Sequence, residues 1–221
     1  MRIPLQCNPN CETCVAMARR YAPIAEGLAL LALTLPLATG LHRPELWFLA
    51  PFLALTVTKR SYVSYGLTLQ GAGSLGFHAA VATVVFVPYA LGHYLFAHWG
   101  YGASFSPHLP SSFLPSVWDQ VLVVALPEEF FFRGYLQTQF DRVWGKPYHC
   151  LGAHCGVGLP IAAALFAACH TIYGGPARLI VFFPGLWYGW LRARTETIAV
   201  PTAYHAASNL LMQIMLSSLR V

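Results

Sequence analysis

The stretch PEEFFFRGY, residues 127–135, places Glu128, Glu129 and Arg133 in one of the most apolar parts of the chain. The apolar run 122–126 leads into it, and three phenylalanines lie within it. An ionisable side chain in a membrane helix costs roughly 2.5–3.5 kcal/mol on insertion scales and usually has a function. We therefore begin from this stretch both for the fold and for the functional site.

The composition of the whole chain is typical of a membrane protein. Of 221 residues, 57% are hydrophobic and only 10% are charged, whereas soluble domains carry about 25% charged residues. The net charge of +5 is spread along the chain without a basic face, so nucleic acid is not expected as a partner. No secretory signal is expected, because no small-residue cleavage site follows the first apolar run.

Seven apolar stretches are long enough, or nearly so, to cross a bilayer. Strand-type alternation is absent from them, and a helix satisfies its own backbone hydrogen bonds in lipid. The sequence therefore predicts an all-α, polytopic membrane helical bundle of about seven transmembrane helices. We expect a cytoplasmic, cysteine-containing segment over residues 1–21 and a transmembrane domain over residues 22–221. The seven stretches are 22–41, 45–58, 74–97, 117–140, 158–173, 177–193 and 196–218.

The distribution of Lys and Arg predicts the orientation in the membrane. With the N-terminus inside, the outer segments contain only Arg43, Arg178 and Arg220. This positive-inside bias predicts a cytoplasmic N-terminus and an outer C-terminus. The inner segments contain Arg2, Arg19, Arg20, Lys59, Arg60, Arg142, Lys146, Arg192 and Arg194.

The fourth span contains two adjacent carboxylates for which we expect different roles. Glu129 and Arg133 are four residues apart, so they share a helix face and can pair. Glu128 is five residues from Arg133 and points elsewhere. This leaves Glu128 as the unpaired carboxylate, the type of group that serves as a general base.

Two further spans carry polar side chains at helical spacing. Phe166 and His170 are four residues apart in FAACH, and His205 and Asn209 are four apart in HAASN. A single membrane histidine is more often a packing residue, but three spans with polar groups must bury them against one another. Glu128 with His170 could activate a water, and His205 with Asn209 could donate to an oxyanion. We expect one polar cavity among them, open toward the inner side.

These motifs resemble those of a known family. EEFFFR, FAACH and HAASN match the EExxxR, FxxxH and HxxxN motifs of the CPBP family, which includes type II CAAX prenyl endopeptidases and bacteriocin-processing relatives. The similarity covers about residues 117–212, on the fourth, fifth and seventh spans. It implies a glutamic-type intramembrane endopeptidase. By resemblance, the water is activated by Glu128 and His170, the oxyanion is stabilised by His205 and Asn209, and the site is supported by Glu129, Arg133 and Phe166.

The resemblance also implies the partners and the location of the protein. The expected substrate is a membrane-anchored protein or peptide, cut near its C-terminal tail. Prenyl endopeptidases of the family usually have an eighth span, for which this sequence predicts no counterpart. The chain is more similar to compact prokaryotic members, some of which are associated with processing C-terminal sorting tails. This implies an integral protein of the prokaryotic cytoplasmic membrane.

The cysteines leave two interpretations open. Cys7, Cys11 and Cys14 form a C-x3-C-x2-C array, predicted on the same side as His149, Cys150, His154 and Cys155. These residues could hold a structural zinc, or they could be reduced thiols, since disulfides are uncommon on the cytoplasmic side. No cofactor is expected at the active site. Zinc remains the alternative there, because one glutamate and two histidines are also a zinc ligand set.

Two other classes of function fit the same residues. In a transporter or channel, Glu128, His170 and His205 would relay protons or bind a cation. Many transporters are built from inverted repeats, and none is evident in this sequence. A non-catalytic scaffold, in which the motifs serve packing, is the third interpretation.

Overall fold

The computed structural model describes residues 12–220, and this part of the chain is mostly helical. Each of the seven predicted stretches coincides with helix. The first helix begins at Glu12, ten residues before the expected start of the first span. We number the helices α1 Glu12–Gly40, α2 Leu46–Val57, α3 Leu75–Tyr101, α4 residues 113–144, α5 Gly158–Gly174, α6 Phe182–Thr195 and α7 Ala199–Ser218.

Helix α4 changes its hydrogen-bonding pattern four times along its length. Its segments are α-helix at Phe113–Trp118, π-helix at Asp119–Ala125, α-helix at Leu126–Glu129, π-helix at Phe130–Leu136 and α-helix at Gln137–Trp144. Pro127 contributes to this irregularity, because it has no N–H to donate to the preceding turn. π-Helical turns are rare and occur frequently at functional sites. The two glutamates therefore lie between two wide turns that the sequence did not predict.

Short connecting elements complete the fold. Strand β1 (Ser104–Phe105) pairs antiparallel with β4 (Leu219–Arg220), and β2 (Tyr148–Cys150) pairs antiparallel with β3 (Ala153–Cys155). Turns of 3-10 helix lie at Val63–Tyr65 and Pro176–Val181. The all-helical prediction overlooked these strands, which are too short to show alternation in the sequence.

The described helices differ in how well they fit a membrane. Helices α1 and α3 are long and apolar enough to cross a bilayer by length and composition, whereas α2 and residues 158–172 are apolar but shorter. The prediction of a helical protein is confirmed, and the structure identifies two candidate spans where the sequence predicted about seven. Helix α7 is long enough but carries several polar side chains, and α6 has only 14 residues.

Helix α4 is the buried centre of the bundle. It contacts α1, α2, α5, α6 and α7. The side chains of Phe130, Phe131 and Phe132 are buried. Trp47 of α2 packs edge-on against Phe131, and Phe166 of α5 packs edge-on against Phe132, with ring centroids 4.8 and 5.1 Å apart. These aromatic contacts fix the rotation of α4 and hence the direction of its glutamates.

Helix α3 lies at the periphery and packs against α7. None of its most apolar 18-residue window is buried, and side chains such as Val84 and Phe96 are exposed. An extended apolar surface of this kind is unusual for a soluble monomer. It is the surface expected of a helix that faces lipid.

The loops that the charge pattern assigns to the inner side lie together at one end of the bundle. Arg60 forms two hydrogen bonds of 2.7 Å with the carboxylate of Glu26, joining the loop after α2 to α1. The Ile198 amide donates to the carbonyl of Gly66, and the Trp190 indole donates to the carbonyl of Cys150. We call this end of the bundle, which carries most of the Lys and Arg residues, the basic end.

Candidate functional site

Three helices bring polar side chains to one point in the bundle. Oε2 of Glu128, from the middle of α4, lies 3.9 Å from Nε2 of His170 on α5 and 3.9 Å from Nε2 of His205 on α7. Both distances are too long for direct hydrogen bonds. Glu128 Oε2 is buried and has no hydrogen-bond partner among the described residues. The structure thus brings together three of the four residues expected to be catalytic.

The neighbouring carboxylate is engaged through one of its oxygens, whereas Oε2 is buried without a hydrogen-bond partner among the described residues. Oε1 of Glu129 accepts a hydrogen bond of 2.8 Å from Nη1 of Arg133, and both side chains are completely buried. The pair that the i,i+4 spacing predicted is therefore confirmed. The same oxygen lies 2.8 Å from Nδ1 of His205. Because a carboxylate only accepts hydrogen bonds, the proton of His205 lies on Nδ1 and Nε2 is directed toward Glu128.

His170 is oriented in the same manner. Its Nδ1 lies 2.9 Å from the carbonyl oxygen of Phe166, one turn earlier on α5. A carbonyl only accepts, so Nδ1 donates and Nε2 is left with its lone pair toward Glu128. The carboxylate and the two imidazole Nε2 atoms therefore form a cluster of three hydrogen-bond acceptors.

Arg133 is held by aromatic rings as well as by Glu129. Its guanidinium carbon lies 4.1 Å from the ring centroid of Phe166 and 5.4 Å from that of Tyr188. Cation–π contacts of this kind strengthen when they are shielded from water. Nη2 also donates to the carbonyl of Gly185, at 3.4 Å. The first residue of the FAACH motif thus packs directly against the arginine of EEFFFR.

Asn209 lies apart from the cluster. It is one turn beyond His205 on α7, and its Nδ2 donates a hydrogen bond of 2.7 Å to Oε1 of Gln120. The structure records no hydrogen bond from Asn209 to Glu128, His170 or His205. Gln120 was not among the predicted site residues. Its only sequence signal is a polar side chain two helical turns before Glu128, within an apolar run.

Tyr188 of α6 is a second residue that sequence reasoning missed. Its ring stacks on His205, with centroids 5.0 Å apart and planes 16° apart. Its hydroxyl donates to Oγ of Ser208 at 2.8 Å. One tyrosine in an aromatic-rich helix gave no signal of this contact. The imidazole of His205 is therefore fixed by a stacked ring as well as by Glu129.

A cavity of about 490 Å³ reaches the cluster, and we call it the main cavity. Its exposed rim is formed by His42, Gly174 and Arg178. His42 and Arg178 lie in segments that the charge pattern places outside, and Gly174 ends α5. On the predicted topology the cavity therefore opens outward, whereas an opening toward the inner side was expected. The reason is that α5 ends shortly after His170, at the end of the bundle opposite the basic end. The other lining residues are Ala38, Thr39, Pro44, Trp47, Glu128, Phe132, Cys169 and His170.

The structure describes only some of the cysteines of the predicted array. Cys7 and Cys11 lie outside the described residues. Cys14 is disulfide-bonded, so the expectation of a free thiol is not met there, and a disulfide sulfur does not provide the thiolate that zinc binds. Cys150 and Cys155 are free thiols on the β2–β3 hairpin. Within residues 12–220, no group of three His, Cys, Asp or Glu side chains has the geometry of a metal site.

The comparison with known proteins gives one match. Residues 110–211 match the sequence model of the family described as type II CAAX prenyl endopeptidase, Rce1-like. No significant match occurs among curated proteins or solved structures. The matched region contains all three motifs and every residue of the cluster. The family comprises membrane proteins and implies a peptidase that acts on a membrane-associated peptide or protein. Residues 110–211, which carry the Glu128–His170–His205 cluster, are therefore similar to the Rce1-like type II CAAX prenyl endopeptidases.

Proposed function

We propose that this protein is a glutamic-type intramembrane endopeptidase that hydrolyses a peptide bond near the C-terminal tail of a membrane-anchored protein or peptide. The observation that carries the proposal is the equal separation of 3.9 Å between Glu128 Oε2 and the Nε2 atoms of His170 and His205. Three acceptors that face one another need donors between them, and one water can donate to two of the three. A single water can hydrogen-bond groups that are too far apart for direct contact.

The reaction then follows from the position of this water. Glu128 takes a proton as the water oxygen bonds to the carbonyl carbon of the substrate, and His170 holds the water through Nε2. The tetrahedral intermediate collapses with cleavage of the C–N bond. The proton held by Glu128 passes to the leaving nitrogen. One carboxylate thus serves first as general base and then as general acid.

Donors for the oxyanion come from α7. The ring of His205 is held through Nδ1 by Glu129, and in its doubly protonated form it donates through Nε2. Asn209 has two amide hydrogens, of which one is directed to Gln120 and the other is available to the oxyanion. Donors preorganised in a dry site are usually the largest source of stabilisation for such an intermediate.

The main cavity supports access by a peptide tail. Its volume of about 490 Å³ is in the range of small-molecule sites, about 300–1,000 Å³. Trp47 and Phe132 provide an apolar wall beside Glu128, and Arg178 lies at the rim. An extended tail with apolar side chains can therefore reach the cluster from the end of the bundle opposite the basic end. On the predicted topology, this is the outer side of the membrane.

Cleavage is expected to need no metal. A protein with serine at Cys7, Cys11 and Cys14 should cleave a membrane-tethered tail in liposomes at an undiminished rate after treatment with a chelator, because Glu128 and His170 activate the water alone. The measurement pairs metal content with cleavage for this variant and the wild type. Loss of cleavage with chelator and its return with added zinc would make the protein a metalloprotease and this mechanism wrong.

Gln120 is expected to act as a positioning residue for Asn209. Gln120→Leu removes the acceptor that orients the amide, so kcat should fall about tenfold with little change in KM, a smaller loss than the roughly 100- to 1,000-fold for deleting an oxyanion donor outright. Gln120→Glu keeps an acceptor oxygen and should retain most activity.

Gln213→Leu is the matched control for this prediction, because Gln213 lies on the same helix as Asn209 and donates instead to Ser116. Equal losses of kcat in Gln120→Leu and Gln213→Leu would show a general packing effect and contradict the positioning role.

A further inference from the structure

A second cavity, of about 180 Å³, lies at the basic end of the bundle, and we call it the basic cavity. Arg142, Lys146 and Arg192 line it, together with one carboxylate, Asp141. Arg133 also lines it, but the charge of Arg133 is matched by Glu129. Three cations therefore face one carboxylate, and the cavity carries a net positive charge. Its other lining residues are Ser64, Gln137, Thr138 and Ala193.

Arg192 is the deepest of the three cations. It is only 9% exposed, and Nη2 donates to the carbonyl of Ser64 at 3.3 Å. Its Nε is buried without a hydrogen-bond partner, and Arg192 forms no ion pair among the described residues. Glu196 and Asp141 attract it only from beyond ion-pair distance, and a buried charge without a direct partner is unfavourable. A bound anion would provide the partner that this guanidinium lacks.

The cavity also contains groups that need a donor. Within the described part of the chain, Gln137 Oε1 and Asp141 Oδ1 are buried acceptors without hydrogen-bond partners, and Nε of Arg133 is a buried donor without one. A simple anion would satisfy the donors alone. A phosphate group that carries hydroxyl groups satisfies both sets, since its oxygens accept from the guanidinium groups and its hydroxyls donate to the glutamine and the carboxyl.

The position of the cavity agrees with the level of lipid headgroups. Asp141, Arg142 and Lys146 follow directly after the predicted span 117–140, and the side chains of Arg142 and Lys146 are exposed at the cavity's edge. Basic pockets between membrane helices bind anionic headgroups. We propose that the basic cavity binds a phosphate group bearing hydroxyl donors, supplied by an anionic lipid headgroup or by free phosphate.

Binding there would also reach the proposed active site. Arg133 lines the basic cavity and pairs through Nη1 with Glu129, which in turn contacts His205. An anion beside Arg133 would therefore change the ion pair of Arg133 with Glu129 and, through Glu129, the contact with His205. This consequence rests on the proposed function, whereas the binding itself does not.

Asp141 makes the binding dependent on pH. Burial raises its pKa to about 6, although the positive charges of Lys146 and Arg192 act in the opposite direction. Cys155 of the β2–β3 hairpin also faces this carboxyl. Below pH 6 the protonated carboxyl can donate to a phosphate oxygen, and above pH 6 its negative charge repels the ligand. Anion binding should therefore weaken as the pH rises through about 6.

The test is the thermal stability of the purified protein in a zwitterionic detergent, titrated with short-chain phosphatidylglycerol, with phosphatidylcholine, or with inorganic phosphate at matched ionic strength. Phosphatidylglycerol should stabilise the wild type and phosphatidylcholine should not. A shift by inorganic phosphate as well would identify free phosphate as a sufficient ligand. In Lys146→Ala the half-saturating concentration should rise about fivefold, as expected for one cation at a membrane surface. Arg192→Gln should raise it further.

Lys59→Ala is the matched control, because Lys59 lies at the same end of the bundle but does not line the cavity. It should bind like the wild type, and Asp141→Asn should remove the difference in binding between pH 5.5 and pH 7.5. Equal stabilisation by the two lipids, or equal weakening in Lys146→Ala and Lys59→Ala, would overturn the proposal. Binding without any change in cleavage would overturn only its connection to the active site.

Discussion

Glu128→Gln is expected to abolish cleavage and to leave the protein folded. The amide cannot take a proton from water, and general-base catalysis contributes about 100- to 10,000-fold in rate. Among the described residues Glu128 forms no hydrogen bond, and both histidine nitrogens are 3.9 Å away, so the fold does not depend on its charge. Thermal unfolding of the purified variant should therefore match the wild type.

The measurement compares protein termini, identified by mass spectrometry, in membranes from cells that express wild type or variant. Glu45→Gln is the matched control, because Glu45 forms an exposed pair with Arg43, far from the cluster in the chain and not part of the main cavity lining. It should cleave like the wild type. Termini that persist in the Glu128→Gln strain at wild-type abundance would show that this carboxylate is not the base.

Glu129→Gln is expected to destabilise the folded protein, whereas Glu128→Gln is expected to affect only cleavage. Glu129 and Arg133 are both completely buried and 2.8 Å apart. Removing one charge of a buried pair costs about 3–5 kcal/mol, because the other charge is left without compensation. The free energy of unfolding, measured by denaturant titration in detergent, should fall by about that amount. Cleavage should also decrease, since the contact of the Glu129 carboxylate with Nδ1, which orients the ring of His205, is lost.

Glu45→Gln again provides the comparison, because exposed ion pairs such as Arg43–Glu45 contribute about 0–1 kcal/mol. If Glu129→Gln were as stable as the wild type while Glu128→Gln remained active, the roles assigned to the two carboxylates would be reversed.

Local spacing predicted the parts of the site that lie within one helix. Glu129 and Arg133 pair because residues four apart share a helix face. The convergence of α4, α5 and α7 followed from the need of buried polar groups for partners. Neither argument depends on the detailed packing of the bundle.

Contacts between helices were less accessible from the sequence. The hydrogen bond of Glu129 with His205 and the stacking of Tyr188 on His205 depend on how α6 and α7 rotate against α4. Nothing in the spacing of HAASN fixes that rotation. The hydrogen bond from Asn209 to Gln120 likewise joins residues 89 positions apart. These contacts are products of tertiary packing.

The opening of the main cavity shows a further limit of sequence reasoning. Basic residues indicate which loops remain in the cytoplasm, but they do not indicate where the helices separate. His42 and Arg178 line the rim because the α1–α2 turn and the segment after α5 leave space at that end. The π-helical turns of α4 could not be predicted either, because no particular amino-acid composition identifies such a turn.

The most direct test of the central claim is the capture of a substrate by the inactive protein. Tagged Glu128→Gln and wild-type proteins are purified from membranes, and the co-purifying membrane proteins are identified and then incubated with each enzyme in liposomes. We expect Glu128→Gln to enrich an intact tail-bearing protein, which the wild type cleaves at one peptide bond and Glu128→Gln does not. Cleavage of that protein at the same rate by both would contradict the account, as would the absence of any tail-bearing protein enriched over the wild type.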